Sequence, residues 1–212
     1  MRRHVSGDNF IRRAGRPSLS QAGQIRDQIL DIAAELFLRD GYGTTSIEAV
    51  AKRAGISKRT FYHRFEDKAD LFRAVVHRLV SRLRPPTVAP LFEGNTLEEV
   101  LLRLAKIIIH ATLSPEALAL HRLVTGEAVR FPELAQILEG EGSRQEGVKL
   151  LTSLLRERSN VKDPEFAAEQ FLQLVPAVPQ RRALGLGAPM TGPELDAWAE
   201  KSVRLFLNGC RE

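Results

Sequence analysis

One cysteine, Cys210, occurs in 212 residues. A disulfide framework and a cysteine-based zinc site are both excluded, and a reducing compartment is the matching expectation. Aromatic residues make up only 6% of the chain. No apolar run approaches the roughly 18 residues of a membrane span. The start, Met1-Arg2-Arg3-His4-Val5-Ser6, leads into polar residues rather than the apolar stretch of a secretory signal. A cytoplasmic protein with no membrane partner is expected. Strand-type alternation and internal repeats are missing too, as are the His-Glu-x-x-His zinc motif, the P-loop and the nucleophile elbow. Gly185-Leu186-Gly187 and Gly140-Glu141-Gly142 follow helical patterns, not strands, so neither has a dinucleotide-binding context. An enzyme is not expected, nor any cofactor, metal site or catalytic residue.

Acidic charge is short in the first part of the chain. Residues 1–80 carry 15 Lys and Arg against 9 Asp and Glu, whereas residues 81–212 carry 16 against 17. The whole excess of +5 therefore originates in the N-terminal third. A polyanion is the natural partner for that segment. Elsewhere hydrophobic residues at 43% and charged residues at 27% describe a globular protein, and helix-forming Leu, Ala, Arg and Glu are abundant.

The apolar spacing predicts an all-α chain in three parts. Residues 1–20 combine arginines, among them Arg16, with Gly, Pro and Ser and no period, which reads as a flexible basic arm. Residues 21–84 form a helical domain. Ile25, Ile29, Ile32, Ala33, Leu36 and Phe37 share one face of a helix that stops at Gly41. Thr45 with Glu48 reads as a capping box opening a two-turn helix that halts at Gly55. Ser57 caps a third helix, and Asp67 caps a longer one that ends before Pro85-Pro86. Residues 85–95 are the candidate linker. Residues 85–212 hold further helices opening at Thr96/Glu99, Ser114-Pro115, Pro132, near Leu150, at Asp163-Pro164 and at Thr191/Glu194. The one opening at Ser114 is expected to reach Phe131, and the one opening at Asp163 to be broken by Pro176 and Pro179.

Thr45 to Lys68 is the informative stretch. Two short helices joined by a turn containing Gly make a helix-turn-helix, with small Ala51 at the crossing, Gly55 for a positive φ, and Ile47, Val50, Ile56 and Phe61 facing inward. The outward face of the second helix carries Lys58, Arg59, Thr60, Tyr62, His63 and Arg64. Lys58 and Arg59, at its N-terminal end, suit guanine O6 and N7, and Thr60 is a secondary base contact. Thr45, Ser46 and Lys68 would flank the groove on phosphates, beside the cap Ser57. A tail bearing Arg16 could enter a minor groove or have no sequence role.

These residues resemble the TetR/AcrR family of transcriptional regulators. The likeness runs from Ile29 to Gly41 through Thr45-Ser46-Ile47, Val50-Ala51 and Ala54 to Lys58, and above all through Thr60-Phe61-Tyr62-His63-Arg64-Phe65 with Lys68 and Leu71-Phe72. It implies an N-terminal helix-turn-helix DNA-binding domain followed by a C-terminal helical domain for effector binding and dimerisation. It also implies a repressor that binds a palindromic double-stranded DNA operator as a homodimer, with Tyr62 on the DNA backbone and Lys68 on phosphate. His121 to Leu134 looks like the AefR-type C-terminal domain. Within it, Arg122 or Arg130 beside Glu127 is expected to be a structural ion pair. Candidate contacts for a small-molecule effector are His110, His121, Arg122 and Phe131. Candidate dimer residues are Phe166, Phe171, Val175, Leu195, Trp198 and Phe206, which could equally be buried within one chain. A helical adaptor that binds only protein is the competing class, and salt-dependent binding to duplex DNA separates the two.

Overall fold

The computed structural model describes residues 19–83, 96–141 and 144–209. Among them are ten helices and no strand: α1 (Leu19–Asp40), α2 (Ile47–Arg53), α3 (Lys58–Tyr62), α4 (Lys68–Leu83), α5 (Leu97–Thr112), α6 (Pro115–Glu127), α7 (Glu133–Glu141), α8 (Arg144–Arg158), α9 (Pro164–Ala183) and α10 (Gly192–Gly209). The all-α expectation holds. Leu19 and Ser20 already belong to α1, so the helix begins inside the range read as an arm. The rest of that arm, Arg16 included, and the linker at 85–95 lie outside the described residues.

Local chemistry explains most helix starts. Thr96 and Glu99 form a reciprocal capping box on α5, with Glu99 N donating to Thr96 Oγ1 at 3.2 Å and Thr96 N to Glu99 Oε2 at 3.3 Å. The Ser114 and Asp163 side chains cap α6 and α9, each followed by a proline whose missing N–H costs nothing in the first turn.

Three boundaries differ from expectation. The cap of α2 is Ser46, whose Oγ accepts from Ala49 N at 3.1 Å, while the Thr45 hydroxyl turns inward to Gly41 O at 2.8 Å. Helix α6 ends at Glu127, where the N–H groups of both Arg130 and Phe131 converge on the Glu127 carbonyl. Helix α9 runs through Pro176 and Pro179 to Ala183. Proline at 179 cannot donate to the carbonyl four residues back, Val175. Trp198 Nε1 of α10 donates to that oxygen instead, at 2.9 Å. The orphaned acceptor is thus satisfied from a neighbouring helix, and the helix continues.

Burial divides the molecule into two cores. The first joins Ile29, Phe37, Tyr42, Val50, Phe61, Phe65, Leu71, Phe72 and Val76 of the N-terminal helices to Leu120, Leu123 and Val124 of α6 and Leu134 and Ile137 of α7. Rings dominate it: Phe37, Tyr42 and Phe72 lie within 5.3 to 5.5 Å of one another, centroid to centroid. Each fully buried Phe contributes about 1.5 to 3 kcal/mol. The second core comprises α5, α8, α9 and α10, with Val100, Leu101, Leu151, Leu155, Phe171, Val175, Val203 and Phe206. Helices α6 and α7 follow α5 in sequence yet pack with the N-terminal helices.

Candidate nucleic-acid interface

Helix α2 ends in a Schellman turn. Gly55 N donates to Lys52 O and Ile56 N to Ala51 O, and this closure requires the left-handed φ of +66° that Gly55 adopts. The chain then turns directly into Ser57, which caps α3 by accepting from Thr60 N at 3.1 Å. Phe61 is fully buried beneath α3, and the Phe61 and Phe65 rings meet 5.5 Å apart. With one face fixed in this way, the other must project into solvent.

Ser57, Lys58, Arg59, Tyr62 and His63 are exposed, Tyr62 at 53%. Thr60 and Arg64 are half-buried and turned to the helix itself: the Thr60 hydroxyl pairs with Ser57 Oγ at 2.8 Å, and Arg64 Nη1 donates to Thr60 O at 3.0 Å. Lys58 Nζ lies 2.5 Å from Glu48 Oε1. This contact holds the ammonium above its ordinary pKa and the Glu48 carboxyl below its own. A solvent-exposed pair of this kind contributes little to stability and is readily exchanged for another anion. Among the described residues the Arg59 guanidinium has no hydrogen-bond or charge partner. It is the freest cation of the group.

Thr45 and Lys68 are both engaged within the fold. Thr45 is 5% exposed, so its side chain is part of the fold rather than of an outer surface. Lys68 Nζ donates to Tyr42 O at 2.8 Å and Thr45 O at 3.0 Å, and it lies 4.4 Å from the centre of the Tyr42 ring. Desolvation lowers its pKa, opposed by Glu127 and Glu133. These two carbonyls engage two of its three ammonium hydrogens. Ser46 remains exposed beside this group.

The C-terminal effector candidates lie on α5, on α6 and just after α6. His110 is exposed on α5, His121 is half-buried on α6, and Arg122 donates to Ala183 O at 3.2 Å. Phe131 packs edge-on against Tyr42 at 5.1 Å, with the Arg130 guanidinium 5.3 Å from the centre of its ring, so it belongs to the junction with the N-terminal helices. The Glu127 carboxylate receives the backbone N–H groups of Tyr42 and Gly43 in place of the expected arginine. Nothing local in the sequence marks that contact, which spans 84 and 85 residues. Phe171, Val175 and Phe206 are interior, with Phe171 and Phe206 rings 5.0 Å apart, and are therefore not a free dimer surface. Leu195 and Trp198 are partly buried against the same core, whereas Phe166 is 59% exposed. Leu205 of α10, exposed at 63%, was not among the expected dimer residues. Among the described residues no group of three His, Cys, Asp or Glu could hold a metal ion, and no helix is long and apolar enough to cross a membrane.

Comparison with known proteins agrees with this geometry. Residues 29–75 match the tetR family of bacterial regulatory proteins, and residues 99–209 match the C-terminal domain of AefR-like transcriptional repressors. The HTH-type transcriptional regulator UidR of Escherichia coli (strain K12) is 27% identical over 126 residues, 58% of this chain and 61% of UidR, so the match spans about three fifths of that relative. The HTH-type transcriptional repressor BepR of Brucella suis biovar 1 is 26% identical over 92% of this chain and 91% of its own. Two solved structures superpose well. A TetR-family transcriptional regulator from Mesorhizobium loti MAFF303099 gives a TM-score of 0.75 at 28% identity, covering 89% of this chain and 98% of that one. The Flavonoid-responsive Regulator FrrA gives 0.73 at 30% identity with the same coverage. Since the AefR-like match alone takes in more than half of the residues, this protein belongs to the TetR family of bacterial regulatory proteins.

Proposed function

We propose that the chain is a DNA-binding transcriptional repressor that acts as a homodimer in the cytoplasm and leaves a palindromic operator when a small molecule binds. One observation carries the reading: Arg59, Tyr62 and His63 stand exposed on a helix whose opposite face is anchored by buried Phe61, directly after a closed glycine turn. Side chains held this way can be presented to base edges without first ordering a loop, so little conformational entropy is lost on binding.

Arg59 makes the principal base contact, and Lys58 joins it by exchanging Glu48 for the DNA. Tyr62, His63 and Ser46 hold the sugar-phosphate backbone, and Lys68 offers its remaining hydrogen to a phosphate. Thr60 and Arg64 support the helix and touch DNA only at its edge. Two copies related by a twofold axis place their reading helices about 34 to 36 Å apart, one turn of B-form DNA. The effector acts by binding one dimer conformation better than the other, and operator DNA must then weaken effector binding by the same factor. Flavonoids, named for FrrA, are the first effector class to try.

Selection of duplexes from a random pool by the full-length protein tests this. A palindrome is expected to emerge, and its affinity should fall linearly with the logarithm of salt concentration, with a slope near −0.9 for each phosphate neutralised. Recovery of no preferred sequence, with salt-insensitive retention, overturns the reading.

A further inference from the structure

The turn between α1 and α2 is bound on both of its polar edges. Gly41, at φ +95°, ends α1. The next two amides then point at one carboxylate: Tyr42 N donates to Glu127 Oε1 at 2.6 Å and Gly43 N to Glu127 Oε2 at 2.7 Å. On the opposite edge, the Lys68 ammonium takes the carbonyls of Tyr42 and Thr45. An anion on the N–H side and a cation on the C=O side complement the peptide dipoles of the same short run, and charge-assisted bonds of this type are about twice as strong as neutral ones. The fit is close. A methyl group at Gly43 would come within 3.0 Å of Glu127 Oε2 and 3.1 Å of the Phe131 ring.

The position of this contact gives it consequence. Glu127 is the last residue of α6, and Phe131 lies just beyond it. The bound turn runs straight into Ser46, the cap of α2, and α2 leads through Gly55 to the exposed face of α3. Behind the turn, Leu120, Leu123, Val124, Leu134 and Ile137 of α6 and α7 share the core of the N-terminal helices. Apolar packing permits sliding, because it is non-directional. Two short hydrogen bonds to successive amides do not.

We infer that Glu127 is a positioning residue for the DNA-reading helix: its carboxylate on Tyr42 and Gly43 fixes the angle of α2 and α3 relative to the remainder of each subunit, and so sets the half-site spacing that a dimer accepts. The inference rests on the proposed dimeric DNA-binding function. It assigns to one side chain the stiffness that converts two reading helices into a ruler.

The test uses the full-length protein and the palindrome recovered by selection, together with duplexes in which one or two base pairs are inserted between the half-sites. The readout is the ratio of affinities for native and lengthened duplexes, which does not change if a variant merely has a smaller folded fraction. Glu127→Ala is expected to lower this ratio by about fivefold or more, and Glu127→Gln, which keeps one acceptor, by less. Gly43→Ala, pressing on the same carboxylate from the other side, should act in the same direction. Amide hydrogen exchange at Tyr42 and Gly43 should quicken in Glu127→Ala. Should Glu127→Ala prove unfolded, Glu127→Gln and Gly43→Ala decide the matter. An unchanged ratio in folded variants whose Tyr42 and Gly43 amides exchange faster overturns the inference. A wild type indifferent to spacing defeats the dimeric reading itself, a result seen before any variant is made.

Discussion

The guanidinium of Arg59 stands in solvent on the first turn of α3, beside Lys58, which is held by Glu48. Planar forked donors suit guanine, and a bidentate pair is worth about 1 to 3 kcal/mol of discrimination. Arg59→Ala should therefore lose that amount on the selected duplex and relax the preference at one base position, while affinity for random duplexes falls much less; competition binding against base-substituted operators measures both. Tyr42 offers a second prediction at this scale. Burial, followed by Glu133 and Asp67, pushes its hydroxyl from 10.0 to about 12. The folded chain thus keeps a proton that the unfolded chain releases, so this group's contribution to stability is complete below pH 10 and is lost as pH rises toward about 12. The chain has two tyrosines, so in Tyr62→Phe the phenolate absorbance reports Tyr42 alone and should titrate near 12. In the added variant Glu127→Gln the midpoint should drop, because Glu127 is one of the charges that raise it. A midpoint near 10 in Tyr62→Phe would show that Tyr42 is not buried.

At the scale of the helix, what could be read from the chain was whatever a few neighbouring residues decide. Ser57, Gly55, Thr96 with Glu99, and Asp163 with Pro164 were legible because each acts within about four positions. The cap of α2 was read at Thr45 rather than Ser46, since both can cap and only the packing of the Gly41 turn draws Thr45 inward. The hold of Lys68 on the Thr45 and Tyr42 carbonyls was not legible, because those partners lie 23 and 26 residues away. The prolines of α9 are the clearest case. Locally they end a helix, yet Trp198 relieves Val175 O from 23 residues on. Trp198→Phe should consequently destabilise the fold by about 1 to 3 kcal/mol through the unpaired buried carbonyl. In a Pro179→Ala background, where a backbone N–H is restored to that oxygen, the same substitution should cost distinctly less. Urea denaturation followed by circular dichroism completes the double-mutant cycle. Equal losses in both backgrounds would leave the continuity of α9 without this explanation.

For the molecule as a whole, the two cores separate residues that hold a subunit together from residues free to join two. Phe171, Val175 and Phe206 belong to the interior of the second core, so charging them would unfold the subunit before it could report on association. Phe166 of α9 and Leu205 of α10 are large apolar side chains left mostly in water, on the two helices that carry the expected dimer residues. Water-exposed apolar area of this kind gains by being covered. A charge placed there costs an isolated subunit almost nothing and a dimer a great deal, because a buried carboxylate without a partner is strongly disfavoured. Phe166→Glu and Leu205→Glu should thus keep their helix content and thermal midpoint at low concentration while sedimenting as monomers. Their affinity for the full palindrome should collapse toward that for a single half-site, because a monomer forfeits the effective concentration that tethers the second reading helix. Should both variants sediment as dimers and bind the palindrome as tightly as the parent, the pairing surface lies away from α9 and α10, and the spacing of the reading helices must be set by another axis.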